Sequence, residues 1–224
     1  MNDDRMEENK KDTHLFTRRN FFSLIGVASL ATGGFFTYSY FQAEDDMADA
    51  PKDMAGNSVS LDIPLTNDEI EKMNIEPLHQ VMIDIEDLDL HSAVSSMNSV
   101  EGVINPPDAK QTFLLKDYGT TLDKPAEGTL YVVAHSLKSG EAPGNYLFDW
   151  QNDKILVEEG QLINIAELTY KVSMVDLSQK TNIGDHETIW NNEPNTLVFI
   201  TCLQQREGRS VENLIVIADL VEDK

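Results

Sequence analysis

Two side chains in this sequence stand at positions where covalent chemistry is plausible. Cys202 is the only cysteine among the 224 residues, and it directly follows the apolar run "TLVFIT". His135 directly follows another apolar run, "TLYVVA", and precedes the polar stretch "SLKSGEAPG". Both residues therefore stand where a strand gives way to a loop, which is a common place for a functional side chain on a rigid support.

Two arginines follow the thiol closely and complete a set suited to acyl transfer. A thiol becomes a good nucleophile beside a cation, and an imidazole can be that cation and then protonate a leaving amine. Arg206 and Arg209 add guanidinium groups, whose permanent charge and forked donors suit an oxyanion. A histidine or a cysteine alone is more often a packing residue. The combination is what favours catalysis.

Other kinds of chemistry lack their characteristic residues. One cysteine and scattered histidines give no pair of metal ligands at short spacing, so we expect no metal site. The sequence contains no G-x-S-x-G elbow, P-loop or G-x-G-x-x-G run, and we expect no cofactor. The formal net charge of -22 argues against nucleic acid as a partner.

Short apolar runs separated by glycine and proline turns must position these residues. From about residue 76 onward the pattern predicts a mainly β domain, a closed eight-stranded β-barrel with a few short helices. The runs at 129–134, 196–201 and 213–218 are expected to lie side by side. The other predicted strands are 78–85, 89–96, 161–168 and 169–177, and short helical turns are expected at 112–119, 145–150 and 185–190.

One transmembrane helix is predicted before the barrel. Residues 21–41 are uncharged and mostly apolar, and as a helix they would span about 30 Å, the thickness of a bilayer core. Arg18 and Arg19 precede this run and acidic residues follow it, which places the N-terminus in the cytoplasm and the rest outside. A cleaved signal peptide is the alternative, and the two arginines also resemble a twin-arginine export signal.

The acidic residues are concentrated between the predicted anchor and the barrel. From Glu44 to Asp89 there are 14 acidic residues against only two lysines, which is typical of an extended, solvated spacer. The chain therefore divides into a cytoplasmic tail, a signal anchor, an acidic spacer and a catalytic domain. Their predicted bounds are 1–20, 21–41, 42–75 and 76–224.

The run "GTLYVVAHS", followed some 67 residues later by "TLVFITC" and then by the apolar strand "NLIVIA", resembles sortases. These are membrane-anchored cysteine transpeptidases of Gram-positive bacteria. The upstream stretch "VINPPDAKQTFLLKDYG" is most similar to the class F sortases of actinobacteria, with class E next. The resemblance covers about residues 76–218 and implies a sortase-like barrel.

This resemblance implies a reaction and its partners. Sortases cleave an LPxTG-like sorting signal of a secreted protein between Thr and Gly, through a thioester, and transfer the protein to an amine of a peptidoglycan precursor. Cys202 would be the nucleophile and His135 the general acid and base. Thr201 and Arg206 would belong to the substrate site.

The catalytic arginine of the implied set has two candidates, Arg209 and Arg206. In sortases it stands at or just before the start of the last strand, whereas here Asn213 begins that strand. Arg209 is the better match because it is nearer the strand than Arg206. The three residues "SVE" that follow Arg209 depart from the family pattern and leave the register open.

Two other classes of protein remain open at this point. A membrane-anchored β-barrel that binds or scaffolds envelope components would keep the anchor without requiring His135 and Cys202 to meet. A cysteine acyltransferase of the L,D-transpeptidase type would be expected to carry a Ser-His-Gly-Cys run, and this sequence has Ile-Thr-Cys-Leu instead.

Overall fold

The computed structural model describes residues 49–221, and the strands in this part of the chain form a barrel. Their bounds are β1 Glu76–Ile85, β2 Leu90–Met97, β3 Thr112–Leu115, β4 Thr129–Ala134, β5 Phe148–Asp149, β6 Lys154–Ile155, β7 Leu162–Ile165, β8 Leu168–Gln179, β9 Thr196–Leu203 and β10 Glu212–Leu220. Eight strands close in the order β1-β2-β3-β4-β9-β10-β8-β7, and β5 pairs with β6 separately. The predicted closed eight-stranded barrel is thus confirmed.

Strands β4, β9 and β10 lie side by side, as the sequence predicted. β4 and β9 are parallel, and their register joins residues 129–134 to residues 196–201 one to one. β10 is antiparallel to both β9 and β8. Because β4 and β9 run in the same direction, their carboxyl ends meet at one end of the barrel.

Alternating residues of these strands fill the barrel interior. Leu130, Val132 and Ala134 of β4 belong to a buried cluster to which every barrel strand contributes. Their neighbours Tyr131 and Val133 belong to a second buried cluster on the outer face. This division follows from the twofold period of a strand, which sends successive side chains to opposite faces.

Two short helices cover the outer cluster. Helix α1 spans Asn67–Lys72 and begins at a capping box in which Thr66 and Glu69 bind each other's backbone N–H groups. Helix α2 spans Glu187–Trp190, and Tyr131 donates a 2.9 Å hydrogen bond to the carbonyl of Ile189. The outward-facing residues Tyr131 and Val133 of β4 are therefore both buried.

The short helical turns predicted between the strands have three outcomes. The segment 112–119 was expected to be helical, but Thr112–Leu115 is β3 and all four of its residues are buried. A short apolar run buried on both faces shows no twofold alternation, so its periodicity does not separate strand from helix. The segment 145–150 is partly helical, since a 3₁₀ turn at Pro143–Leu147 precedes β5, and the turn at 185–190 is confirmed by α2.

Part of the stretch expected to be a solvated spacer packs against the barrel domain. Val59 and Leu61 contact a buried cluster that contains Leu137 of the loop after β4. Met54 donates a 2.8 Å backbone hydrogen bond to Glu141 of the same loop, and Met73 is buried in the outer cluster. Apolar residues spaced among the acidic ones supply this attachment, which a count of charges does not detect.

The predicted transmembrane helix at 21–41 lies outside the described residues, as does the cytoplasmic tail. Within residues 49–221, no helix has the length and apolar character needed to cross a bilayer.

Candidate active site

Cys202 lies in β9, one residue before the strand ends. Its thiol is unpaired and its side chain is partly exposed. The preceding residues of β9 are buried, so the nucleophile candidate sits where a rigid strand reaches the surface. The neighbours of β9 in the sheet are β4 and β10, and these two strands therefore supply the side chains beside the thiol.

His135 and Cys202 are neighbours across parallel strands. The last registered pair of β4 and β9 is Ala134 with Thr201, and the next residue of each chain is the histidine or the cysteine. Adjacent strands lie about 4.8 Å apart. Ala134 faces the barrel interior, so the alternation of side chains turns His135 and Cys202 to the same outer face. The fold thus brings together the two residues that the sequence singled out.

Two further side chains join the carboxyl ends of β4 and β9. The hydroxyl of Ser136, which is buried, donates a short hydrogen bond to the carbonyl of Cys202. The amide of Gln204 donates to the carbonyl of Ser136 at 2.8 Å and reaches its hydroxyl at 3.3 Å. These bonds fix the backbone on both sides of the histidine and the cysteine. Sequence reasoning missed both residues because polar side chains after a strand are common.

A backbone carbonyl fixes the ring of His135. Nε2 lies 2.8 Å from the carbonyl oxygen of Pro106, in the loop between β2 and β3. A carbonyl oxygen can only accept, so Nε2 carries a hydrogen and donates it. In the neutral imidazole the lone pair is then on Nδ1, and this nitrogen is available to accept a proton from a thiol.

Burial favours the neutral form of this histidine. Loss of solvent around the ring lowers the pKa of His135 below its ordinary value of 6.5, and the positive charge of Lys180 acts in the same direction. The hydrogen bond to Pro106 and the negative charge of Asp108 oppose this change without reversing it. Burial therefore keeps the ring of His135 mainly in its neutral form at neutral pH.

Thr201 does not share the face of the cysteine. Its side chain is buried on the opposite side of β9 and packs against Gly144. A Cβ built on Gly144 would also lie 2.6 Å from the carbonyl oxygen of His135, which already accepts a 2.9 Å hydrogen bond from the Gly144 N–H. The Thr201 hydroxyl has no hydrogen-bond partner within residues 49–221. Any contact of Thr201 with substrate would thus have to come from its backbone.

The two arginines lie in the exposed loop between β9 and β10. Arg206 forms an ion pair with Asp153, with Nε 3.2 Å from Oδ2, and both side chains are exposed. Arg209 is exposed and forms no ion pair with any residue in 49–221. Lys138 donates to the carbonyl of Gly208 at 2.7 Å, which ties this loop to the loop after His135. Arg209 therefore stands three residues before β10 and has no ion-pair partner among the described residues.

Asn213 is the residue directly opposite Cys202. In the antiparallel register of β9 and β10 these two residues are Cα partners, and Asn213 in turn pairs with Ser178 of β8. Leu214 faces the barrel interior, so Asn213 faces outward with Cys202. The signal in the sequence was the position of this asparagine at the start of the last strand, but only the register shows that it faces the thiol.

A cavity of about 370 Å³ adjoins the end of β9. Its walls combine apolar side chains with a few polar ones, which come from β5, β6, the ends of β8, β9 and β10, and the adjoining loops. They include Phe148, Trp150, Ile155, Leu177, Leu203 and Glu212. Residues 49–221 contain no group of three or more His, Cys, Asp or Glu side chains arranged to hold a metal ion.

No protein-family model matches the sequence, and no curated protein matches it. Among solved structures, the chain is similar to sortase A of Listeria monocytogenes, with a TM-score of 0.47 and 13% identity over 63% of this chain and 86% of that chain. It is also similar to a lid mutant of sortase A from Corynebacterium diphtheriae, with a TM-score of 0.46 and 16% identity over 64% and 70% of the two chains. Sortase C-1 from Actinomyces oris gives a TM-score of 0.46 and 14% identity over 64% and 73%.

Proposed function

We propose that this protein is a sortase-type cysteine transpeptidase, most similar to class F. The observation that carries the proposal is the position of His135 and Cys202 on one face of two adjacent parallel strands, one residue beyond the pair Ala134 and Thr201. Their sequence motifs, "TLYVVAH" and "TLVFITC", are the ones that resemble sortases. A binding or scaffold barrel would not require these two side chains to be adjacent.

The first half of the reaction forms a thioester. His135 Nδ1 takes the proton of the Cys202 thiol, and Sγ attacks the carbonyl carbon of Thr in an LPxTG-like sorting signal. The resulting oxyanion collapses, the bond between that carbon and the Gly nitrogen breaks, and the imidazolium of His135 gives its proton to the leaving amine. Cys202 is left acylated by the secreted protein.

The second half transfers the acyl group. An amine of a peptidoglycan precursor attacks the thioester carbon and loses a proton to His135, and the carbon–sulfur bond then breaks. The thiolate recovers a proton from the imidazolium, so atoms and charge balance over the cycle. We propose Arg209 as the arginine of this set, ahead of Arg206, because Arg206 is already paired with Asp153.

The proposed location matches this reaction. Residues 21–41 would anchor the protein in the cell membrane, with the N-terminus in the cytoplasm and the barrel on the outer side, where secreted substrates and cell-wall amines are found. An unpaired cysteine outside the cell is unusual, since such proteins commonly use cysteines in disulfides. Its role as nucleophile gives a reason to keep it.

The proposal is tested with the purified full-length protein in detergent. LPxTG peptides of varied sequence are incubated with it and with triglycine as the acceptor, and products are identified by mass spectrometry. We expect cleavage between Thr and Gly, a triglycine adduct and an acyl group on Cys202. Cys202→Ala is the control and should give none of these products. Peptides that bind without cleavage would favour the scaffold alternative.

A further inference from the structure

The side chain of Asn213 lies in an unusual setting for an asparagine. It is only 8% exposed, although asparagine is mostly found at the surface and is depleted in strands. No side-chain hydrogen bond of Asn213 is found among residues 49–221, and its amide is not one of the fully enclosed polar groups there that lack a partner. The polar end of this largely buried side chain therefore reaches solvent at the end of the strand.

The strand register places Asn213 directly opposite Cys202. Asn213 and Cys202 are directly opposite in an antiparallel pair, where Cα atoms are about 4.5–5.5 Å apart. Both face the outer side of the barrel, together with His135 on the next strand. An acyl group on Sγ would extend from this same face. The amide is therefore within reach of the carbonyl oxygen that the acyl group carries.

The polar side chains at the ends of β4, β8 and β9 are hydrogen-bonded, face the barrel interior or lie further from the thiol. The Ser136 hydroxyl donates to the Cys202 carbonyl, and the Gln204 amide donates to Ser136. Thr201 lies on the interior face, and Ser178 is one strand further from the thiol than Asn213. Asn213 is the residue of β10 directly opposite Cys202, and no hydrogen bond of its amide is found within residues 49–221.

We propose that Asn213 is a catalytic residue whose Nδ2–H donates a hydrogen bond to the substrate carbonyl oxygen as Sγ attacks. This inference rests on the proposed function. When Sγ bonds to the carbonyl carbon, the oxygen becomes an oxyanion, and the amide stabilises that charge until the carbonyl re-forms and the amine departs. Asn213 itself neither gains nor loses a proton or a bond.

A neutral donor such as an amide differs from a guanidinium in its effect on the reactivity of the thiol. An amide carries no charge, so it acts on the oxyanion without adding a cation beside the resting thiol. Its loss should slow peptide cleavage and leave the reactivity of Cys202 toward a simple alkylating reagent unchanged, since alkylation forms no oxyanion. These two readouts separate an oxyanion donor from a residue that only supports the fold or activates the thiol.

The test compares Asn213→Ala and Asn213→Asp with the matched control Ser178→Ala, the next polar position on the same face. Each full-length variant is measured for kcat/KM with the best sorting peptide, for the rate of alkylation by iodoacetamide and for thermal melting. We expect kcat/KM to fall by about a hundredfold or more in Asn213→Ala, the usual effect of losing one such donor. Asn213→Asp should be at least as slow, because it keeps the shape and places a carboxylate against the oxyanion. Alkylation of the Asn213→Ala thiol should stay within about twofold of wild type, and Ser178→Ala should retain most of its cleavage activity.

Different results would overturn different claims. Asn213→Ala with near wild-type cleavage would overturn this inference alone and leave the transpeptidase intact. Suppose instead that Asn213→Ala loses cleavage and alkylation equally, or fails to fold, while Asn213→Asp stays active. Either result would show that Asn213 only supports the fold. A wild-type protein that neither cleaves a sorting peptide nor acylates Cys202 would overturn the proposed function and this inference together.

Discussion

His135 and Cys202 occupy equivalent positions at the carboxyl ends of two adjacent parallel strands, each one residue beyond the pair Ala134 and Thr201. Parallel strands are joined by a long crossover, so their pairing makes neighbours of residues that are far apart in the chain. Ser136 and Gln204 then fix the backbone on both sides. The sheet itself therefore preorganises the site.

Cys202→Ala should abolish transpeptidation and leave the barrel folded. The substitution removes the nucleophile and very little volume at a partly exposed strand end, so the stability loss should be on the order of 1 kcal/mol or less. Peptide cleavage and thermal melting measured on the same preparation check both statements. Peptide cleavage between Thr and Gly that persists in this variant would refute the assignment of the nucleophile.

Stability should depend on pH through His135. Because burial lowers its folded-state pKa below 6.5, the folded protein binds fewer protons there than the unfolded chain. This contribution is present above pH 6.5 and is lost as pH falls through the lowered pKa. The melting temperature of wild type relative to His135→Gln should therefore decrease from pH 8 to pH 5.

His91 provides the opposite control for that measurement. Its hydrogen bond to Asp84 raises the pKa of His91 above 6.5. The stability that it contributes is fully present below pH 6.5 and is lost as pH rises through the raised pKa. His91→Gln should thus differ most from wild type at low pH. An NMR titration that gave His135 a pKa above 6.5 would contradict our account of its burial.

Arg209→Ala and Arg209→Lys should both lose about a hundredfold in cleavage rate, because a guanidinium stabilises the transition state with a fork that lysine lacks. Arg206→Ala should keep most of the activity, since this side chain is exposed and paired with Asp153. Rates and melting temperatures of all three variants make the comparison. If Arg206→Ala is the inactive variant, the role passes to Arg206, and if all are active, neither arginine is catalytic.

Gly144→Ala should destabilise the protein and displace His135 by overpacking the backbone next to it. A Cβ at this position would press against the Thr201 hydroxyl and would lie 2.6 Å from the carbonyl oxygen of His135. Overpacking of this kind typically costs about 1–3 kcal/mol. We expect a lower melting temperature and a displaced histidine with reduced cleavage. Gly184→Ala is the matched control, because its Cβ would meet no atom within 4 Å, and it should behave like wild type.

Thr201→Val should stabilise the protein and retain activity. The threonine hydroxyl is buried in the interior and has no hydrogen-bond partner in the described part of the chain, and valine has nearly the same shape without the polar atom. Removing an unpaired buried hydroxyl should gain on the order of 1 kcal/mol in the free energy of unfolding. Denaturant unfolding and peptide cleavage provide the two measurements. A large loss of activity would show that the hydroxyl takes part in the reaction.

The strand content and the strand-end positions of the reactive residues could be read from the sequence. Alternating and β-branched runs predicted β4, β9 and β10, and the residues that follow β4 or end β9 were picked out by their types. These are local properties, since the twofold period and the transition from apolar to polar residues are visible in a few consecutive positions. The segment that became β3 was misread because its four residues are all buried and show no alternation.

Pairing and register were decided only by the tertiary structure. Which strands become neighbours depends on closure of the whole barrel, and shifting one strand by a single residue would turn every side chain to the other face. That register sets Cys202 against Asn213 and beside His135, and it turns Thr201 into the interior. The sequence by itself determined which residues could react, and the long-range pairing of strands determined which of them meet.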